Sequence, residues 1–400
     1  EPDKISARLG RRDSRLDSDR VSINLDPYHD HQTGYWFSVY ASGVQNDGSL
    51  AGRRGGDETW DGIWEARTTV HDQGWNAEFK IPYHVLRFTQ KDQYVWGINI
   101  LRDISRKNER DLWVLITREQ SGWVSYFGHL EGIKNISPPR HLEVTPYLMG
   151  RSIHQNRTSL LTSIGGNVRY GITSGTSIIA TVNPDFGQVE ADPAELNLSA
   201  FESYYEERRP FFVEGASAFQ SGDYELFYSR RIGNRPGRFD VPDGRQETDR
   251  PDATTILSAV KLTGKTRKQT TFGVLNAVTA PEYARIRSEN GAVETDYLIE
   301  PMTNYFVGRI SQDVLAGDSR IGFLTTAVNR QDSESAFVGA LDWNLKFRDN
   351  RYHLSGTLST SRTGESGTAK EGYLAHLEFD KRRGWLGWEV RAMAKSSGYD

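Results

Sequence analysis

The chain of 400 residues carries a net charge of −4 and no cysteine. So small a charge, with no Lys/Arg tract, gives no footprint for a nucleic-acid partner. Zero cysteines exclude disulfides, iron–sulfur clusters and thiolate zinc sites, and the length suffices for two or three domains with sizeable cores.

The chain opens at Glu1 with no initiator Met, basic n-region or apolar h-region, and its first residues lead straight into strand-like sequence. We therefore expect a piece of a longer protein lacking both ends. Residues 1–136 hold short β-rich runs at 20–25, 35–44, 60–70, 75–81, 94–103, 111–117 and 123–128, with Gln45-Asn-Asp-Gly48 as a turn. Strands this closely spaced point to an antiparallel sandwich. Seven of the ten tryptophans fall here, the last being Trp123. Trp60 and Trp64 share one face of a strand, with Gly62 between them opening room beside the rings. Such a pair can hold the apolar face of a sugar while Asp57, Glu58 and Asp61 take its hydroxyls, or it can simply fill the core. Trp75 shares a face with Ala77, Phe79 and Ile81 and reads as core. Asp26-Pro-Tyr-His-Asp-His31 gathers oxygen and imidazole groups, either as cation ligands or as a solvated turn.

Ser137-Pro-Pro-Arg140 reads as a linker. Beyond it the rhythm lengthens to eleven runs of about ten residues, the length a tilted membrane strand needs and longer than most soluble strands: 142–153, 162–172, 175–183, 254–264, 270–280, 302–313, 319–330, 335–347, 351–361, 371–381 and 385–396. In 337–347, Phe337, Gly339, Leu341, Trp343, Leu345 and Phe347 oppose Val338, Ala340, Asp342, Asn344 and Lys346. In 385–395, Leu386, Trp388, Val390, Ala392 and Ala394 oppose Glu389, Arg391, Met393 and Lys395. Tyr352, Tyr373 and Phe379 stand towards strand ends, as an interfacial girdle would. No run of about 18 apolar residues exists, which excludes a transmembrane helix. The mean hydropathy of −0.62 still permits a membrane barrel, because its strands alternate apolar and polar residues. A large soluble sandwich would also alternate. Eleven is odd where bacterial single-chain barrels are even, so we expect an incomplete barrel over 137–400.

The segment 184–253 is too long for a hairpin connection and should be a folded insert. Asp192 caps a helix, Pro193 suits its first turn and Glu195 completes a capping box. Ala194, Leu198, Phe201 and Tyr205 line one face, and Pro210 stops the run. Asp185, Glu190, Asp192, Glu195, Glu202, Glu206 and Glu207 precede Arg208 and Arg209. This mixture fits a plug pairing with lumen charges, a cap that docks the sandwich, or a cation site at Asp185, Glu190 and Asp192.

The stretch NPDFGQVEADPAELNLSAFESYYEERRPFFVEG (183–215), with LFYSRRIG (226–233), resembles the bacterial family known as domain of unknown function 5916. Matching pieces recur at 17–30, 60–70, 74–88, 261–266 and 303–310, over most of the chain. The resemblance implies a carbohydrate-binding module family 9-like sandwich at 1–136 followed by an outer-membrane β-barrel. It further implies membrane lipid around the 254–396 strands, a glycan ligand and the outer membrane of a Gram-negative bacterium. Related modules bind structural calcium through carboxylates and carbonyls; no other cofactor is expected. The sequence has no His-x-Glu-x-x-His spacing, Gly-x-Ser-x-Gly elbow or phosphate loop, and no catalytic residue is assigned. The fold class expected is all-β: an antiparallel sandwich, then an antiparallel barrel with one helix-containing insert. Our functional expectation is a non-enzymatic envelope protein that binds or admits glycans or docks a partner. The alternatives are a glycoside hydrolase with unassigned carboxylates and a purely structural interaction protein.

Overall fold

A computed structural model describes the chain apart from residues 1, 52–55, 59, 118–121, 137–141, 155–157, 185–204, 206, 223, 238–240, 242–244, 289–293, 316–318, 349, 365–368, 382–384 and 400. The protein is all-β and antiparallel. Its first region contains β1 (Arg20–Asp26), β2 (Thr33–Tyr40), β3 (Gln45–Ala51), β4 (Gly56–Asp57), β5 (Glu65–His71), β6 (Gly74–Lys80), β7 (Gln93–Ile104), β8 (Glu109–Leu112) and β9 (Gly128–Lys134). Seven of these form one sheet in the order β4-β3-β2-β1-β7-β8, with β9 also on β7, and β5-β6 is a separate hairpin. Alternation explains the layering: Tyr35, Phe37 and Val39 of β2 point one way and are buried. Phe37, Phe88, Tyr94 and Trp96 then pack with Trp64, and the hairpin adds Ala66 and Phe79. Each such ring contributes about 1.5–3 kcal/mol by leaving water.

Three local expectations are corrected here. Gln45–Gly48 is the start of β3, not a turn; the reversal lies just before it, where Gly43 takes φ 86° and donates to the Tyr40 carbonyl. The run at 60–70 becomes strand only from Glu65, because the backbone at Gly62 is met by side chains: its N–H donates to Asp47 at 2.7 Å and its carbonyl accepts from Arg12 at 2.8 Å. The run at 111–117 ends at Leu112, because Asn99 supplies both bonds a neighbouring strand would give Val114.

The second region contains β10 (Leu142–His154), β11 (Thr158–Thr173), β12 (Thr176–Val182), β13 (Arg245–Asp249), β14 (Ile256–Lys265), β15 (Thr270–Thr279), β16 (Glu282–Ser288), β17 (Glu294–Glu300), β18 (Thr303–Val314), β19 (Ser319–Arg330), β20 (Ala336–Phe347), β21 (Tyr352–Thr363), β22 (Lys370–Lys381) and β23 (Trp388–Lys395). All eleven expected runs are strands of one antiparallel sheet, ordered β10-β11-β12-β14-β15-β18-β19-β20-β21-β22-β23. Among the described residues the sheet is open, since β10 and β23 each have one neighbour. A second sheet, β13-β16-β17, was not read from the sequence. Its β16-β17 hairpin rises out of β15 and returns into β18, with Pro281 and Pro301 at the joins, where a missing N–H ends ladder pairing.

The expected helix over 192–209 lies almost wholly outside the described residues. Pro210 does not stop a helix but opens one: it is the first residue of a short turn, Pro210–Val213, for which a fixed φ and absent N–H are no handicap.

Candidate functional site

The two faces of the eleven-stranded sheet are chemically opposite. The buried face carries Lys261, Arg309, Asp342, His353, Glu378 and Asp380, together with serines and threonines such as Ser355, Thr357 and Ser359. The exposed face carries Ile310, Phe323, Leu341, Leu358, Leu377 and Phe379. In 337–347 the exposed side chains are Phe337, Leu341 and Phe347, while Ala340 and Asp342 are buried, so the apolar row looks outward. The buried charges are paired, as burial demands. Arg309 forks onto Asp342, with Nη2 to Oδ2 at 2.8 Å. His353 meets Asp380 through Nδ1 at 2.7 Å and Asn344 through Nε2 at 3.1 Å, and Arg391 donates to Glu378 at 3.0 Å. Glu378 and Asp380 stand side by side on β22, whereas a glycosidase pair flanks its bond from opposite sides.

The insert lies against this buried face. Phe211, Phe212, Ala218, Phe219 and Ile232 pack on Ile179, Ala259, Leu275, Ala277 and Val307 of the sheet. Phe219 sits over Gly273, where an added Cβ would collide with its ring. The Lys261 ammonium donates to the carbonyls of Phe211 and Glu214, and the Gly222 N–H donates to Asp342 at 3.3 Å. Arg209 is a structural clasp: it binds Glu207 at 2.7 Å and the carbonyls of Ile232 and Ser229 at 2.6 and 2.8 Å, and covers the Phe212 ring. Arg208 donates its backbone N–H to Glu207 at 3.1 Å. The structure thus gathers Arg208 and Arg209 around Glu207, while Asp185, Glu190 and Asp192 lie outside the described residues.

A cavity of about 680 Å³ remains between insert residues 224–235 and the wall of β18–β23. Tyr224, Phe227 and Tyr228 line the insert side; Tyr305, Arg330 and Lys395 are among the residues opposite. Strand direction puts this cavity at the end of the sheet that holds its two long connections, 183–255 and 280–302, beside shorter ones at 331–335 and 364–369.

The other end, with connections at 174–175, 266–269 and 315–318, meets the sandwich. Here the Asp26–His31 loop is a clamp and not a solvated turn. Lys265 bridges Asp30 at 2.5 Å and Asp313 at 2.6 Å, all three buried, and Arg320 donates to Gln32 at 2.7 Å. Glu214 accepts from Arg87 of the sandwich and Arg169 of β11, each at 2.9 Å. Burial works against the Asp30 carboxylate, yet the Lys265 ammonium and the Thr33 hydrogen bonds hold its pKa down to about 2. Burial and the Asp30 charge push Asp26 well up. Burial, then His31, His129 and Lys91, lower His29 to about 4. The Asp30 oxygens accept from Lys265 and Thr33, and those of Asp26 from the Asp30 and His31 N–H groups, so the Lys265 ammonium is the cation that meets this loop.

Trp64 is 4% exposed and stacks on Phe79, with centroids 5.7 Å apart, so its ring offers no face to a sugar. Trp60 leans on Tyr35 at 4.9 Å, and the space at Gly62 is filled by Trp60 itself and Val85. Asp61 binds Arg12 at 2.8 Å, whose guanidinium also holds Asp47 at 2.6 Å. Asp57 pairs through its backbone with Ser49.

The family model described as "Domain of unknown function (DUF5916)" matches residues 138–400, more than half of the sequence. The chain belongs to the DUF5916 family. The DUF5916 match covers the eleven-stranded sheet, its insert and the cavity, and starts where the sandwich ends. No curated protein and no solved structure matches the chain.

Proposed function

We propose that this is an outer-membrane β-barrel protein in which the insert plugs the lumen and a carbohydrate-binding-like sandwich docks beneath, the whole binding or admitting glycans. One observation carries the reading: one face of the large sheet buries Lys261, Arg309, Asp342, Glu378 and Asp380, while the other exposes Ile310, Phe323, Leu341, Leu358, Leu377 and Phe379. In water the outer face is unfavourable, since exposed apolar area costs about 25 cal/mol per Å². Against hydrocarbon that cost disappears, and a polar lumen suits the charged groups of the other face. Among the described residues no helix is long and apolar enough to cross a membrane, so strands are the crossing elements of this reading. Ser177, Thr181, Thr357 and His376 keep buried polar atoms that no described protein group meets, which suits a wall wetted by water.

The connections support an orientation. Barrels of this kind have short periplasmic turns and long external loops. The sandwich meets the short-turn end and the cavity lies at the long-loop end, so the sandwich is periplasmic and the cavity faces outward. The test is solubility: the protein should require detergent or lipid to remain monodisperse. A monomer stable in plain buffer would end the membrane reading.

A further inference from the structure

We infer that the outward cavity is a binding site for an anionic oligosaccharide, a short run of sugar rings carrying carboxylate or sulfate. This rests on the proposed reading of the sheet as a lumen wall, and deepens it by naming the ligand's chemistry. At about 680 Å³ the cavity is within the range of ligand sites, roughly 300–1,000 Å³. Its surface combines three kinds of group. Aromatic rings come from both sides: Tyr224, Phe227 and Tyr228 from the insert, Tyr305 and Tyr399 from the wall. Short hydroxyl side chains, Thr326, Ser361 and Thr363, stand among them. The described residues of the lining include the cations Arg330 and Lys395 on the wall and Arg231 and Arg235 on the insert, with the carboxylates Glu225 and Glu300; Arg235 faces Asp252 at 3.7 Å.

Each feature narrows the ligand. Rings take the apolar C–H face of a pyranose, and hydroxyls exchange hydrogen bonds with its own. A neutral sugar would give Arg330 and Lys395 no opposite charge, whereas a guanidinium fork matches carboxylate and sulfate oxygens. Arg330 donates to the Glu334 carbonyl at 3.0 Å, which fixes its stem and leaves further N–H groups for a ligand. Lys395 lies over the Tyr399 ring, 5.4 Å from its centroid. Both cations sit on the wall, so replacing them does not disturb the Arg209–Glu207 clasp of the insert.

The experiment is isothermal titration of the full chain in detergent with three probes of equal length: an oligogalacturonate, a sulfated oligosaccharide and a neutral cello-oligosaccharide. Either or both anionic probes should bind at least about tenfold tighter than the neutral one, since charge-assisted hydrogen bonds are the strong class. Arg330→Gln with Lys395→Gln should remove about tenfold or more of that preference, and Arg330→Lys should keep part of it. Gel migration with and without heating reports that each variant is folded. Equal affinity for neutral and anionic probes, or a preference unmoved in the folded double variant, overturns the inference. Failure of the membrane reading shows separately, as a protein soluble without detergent.

Discussion

Lys265 and His29 show how side chains at the junction are balanced. Lys265 is buried between Asp30 and Asp313, a site where a lone ammonium would not survive and where two carboxylates make it stable. His29, next to Asp30 in the chain, has its ring centroid 4.7 Å from His31 and 5.2 Å from His129. Its pKa, lowered to about 4 from the usual 6.5 chiefly by burial, makes it a cost in acid. Between those two values the unfolded chain binds a proton that the folded one refuses, so stability rises with pH there. Asp30 acts outside that window, because its carboxylate keeps its charge down to about 2. Asp26, pushed well up, works in the opposite sense, so the prediction is a difference: in unfolding curves between pH 4 and 7 the slope of stability with pH should be more positive in the native chain than in His29→Gln. An unchanged slope in that variant would place the effect elsewhere. None of this was legible in the sequence: Asp30 and Lys265 are 235 residues apart, and Asp26–His31 reads equally as ligand loop or turn until its partner is seen.

The eleven long strands were legible because a two-residue period with polar and apolar faces survives without knowledge of the partner strand. Elements set by side-chain hydrogen bonds were not. Asn99 ends β8 and Asp47 holds Gly62 out of β5, and neither contact leaves a mark on local periodicity. The β16-β17 hairpin escaped because charges crowd both of its strands, although Ala284 and Ile286 are buried. The cavity could not be read at all, since its cations come from the insert and from the ends of separate strands. At this scale the lipid reading makes a depth-dependent prediction. Leu358 is exposed at the middle of β21, and Thr360 is exposed on the same face nearer the strand end. In lipid vesicles Leu358→Arg should cost about 2–4 kcal/mol and Thr360→Arg markedly less, because the penalty falls to about 0–1 kcal/mol near the interface. Denaturant titration measures both. Two small, equal costs would mean that the face meets water.

For the whole molecule, three bodies meet through a few buried and half-buried charges. The sandwich contributes Arg87 and Asp30, the insert Glu214, and the sheet Arg169, Lys261, Lys265 and Asp313. Removing one member strands its partners, so sandwich and insert are coupled across the short-turn end, while the cavity is left free at the other. The central claim is that the exposed face of the sheet meets lipid and the buried face water. The absence of cysteine makes that claim directly measurable, since any cysteine introduced is unique. Single variants Leu341→Cys, Leu358→Cys and Leu377→Cys on the exposed face, and Ser355→Cys, Thr357→Cys and Ser359→Cys on the buried face, would carry a fluorophore in lipid vesicles. Quenching by brominated acyl chains should be strong for the first three and weak for the last three. Equal quenching on both faces, or none on either, would contradict the account.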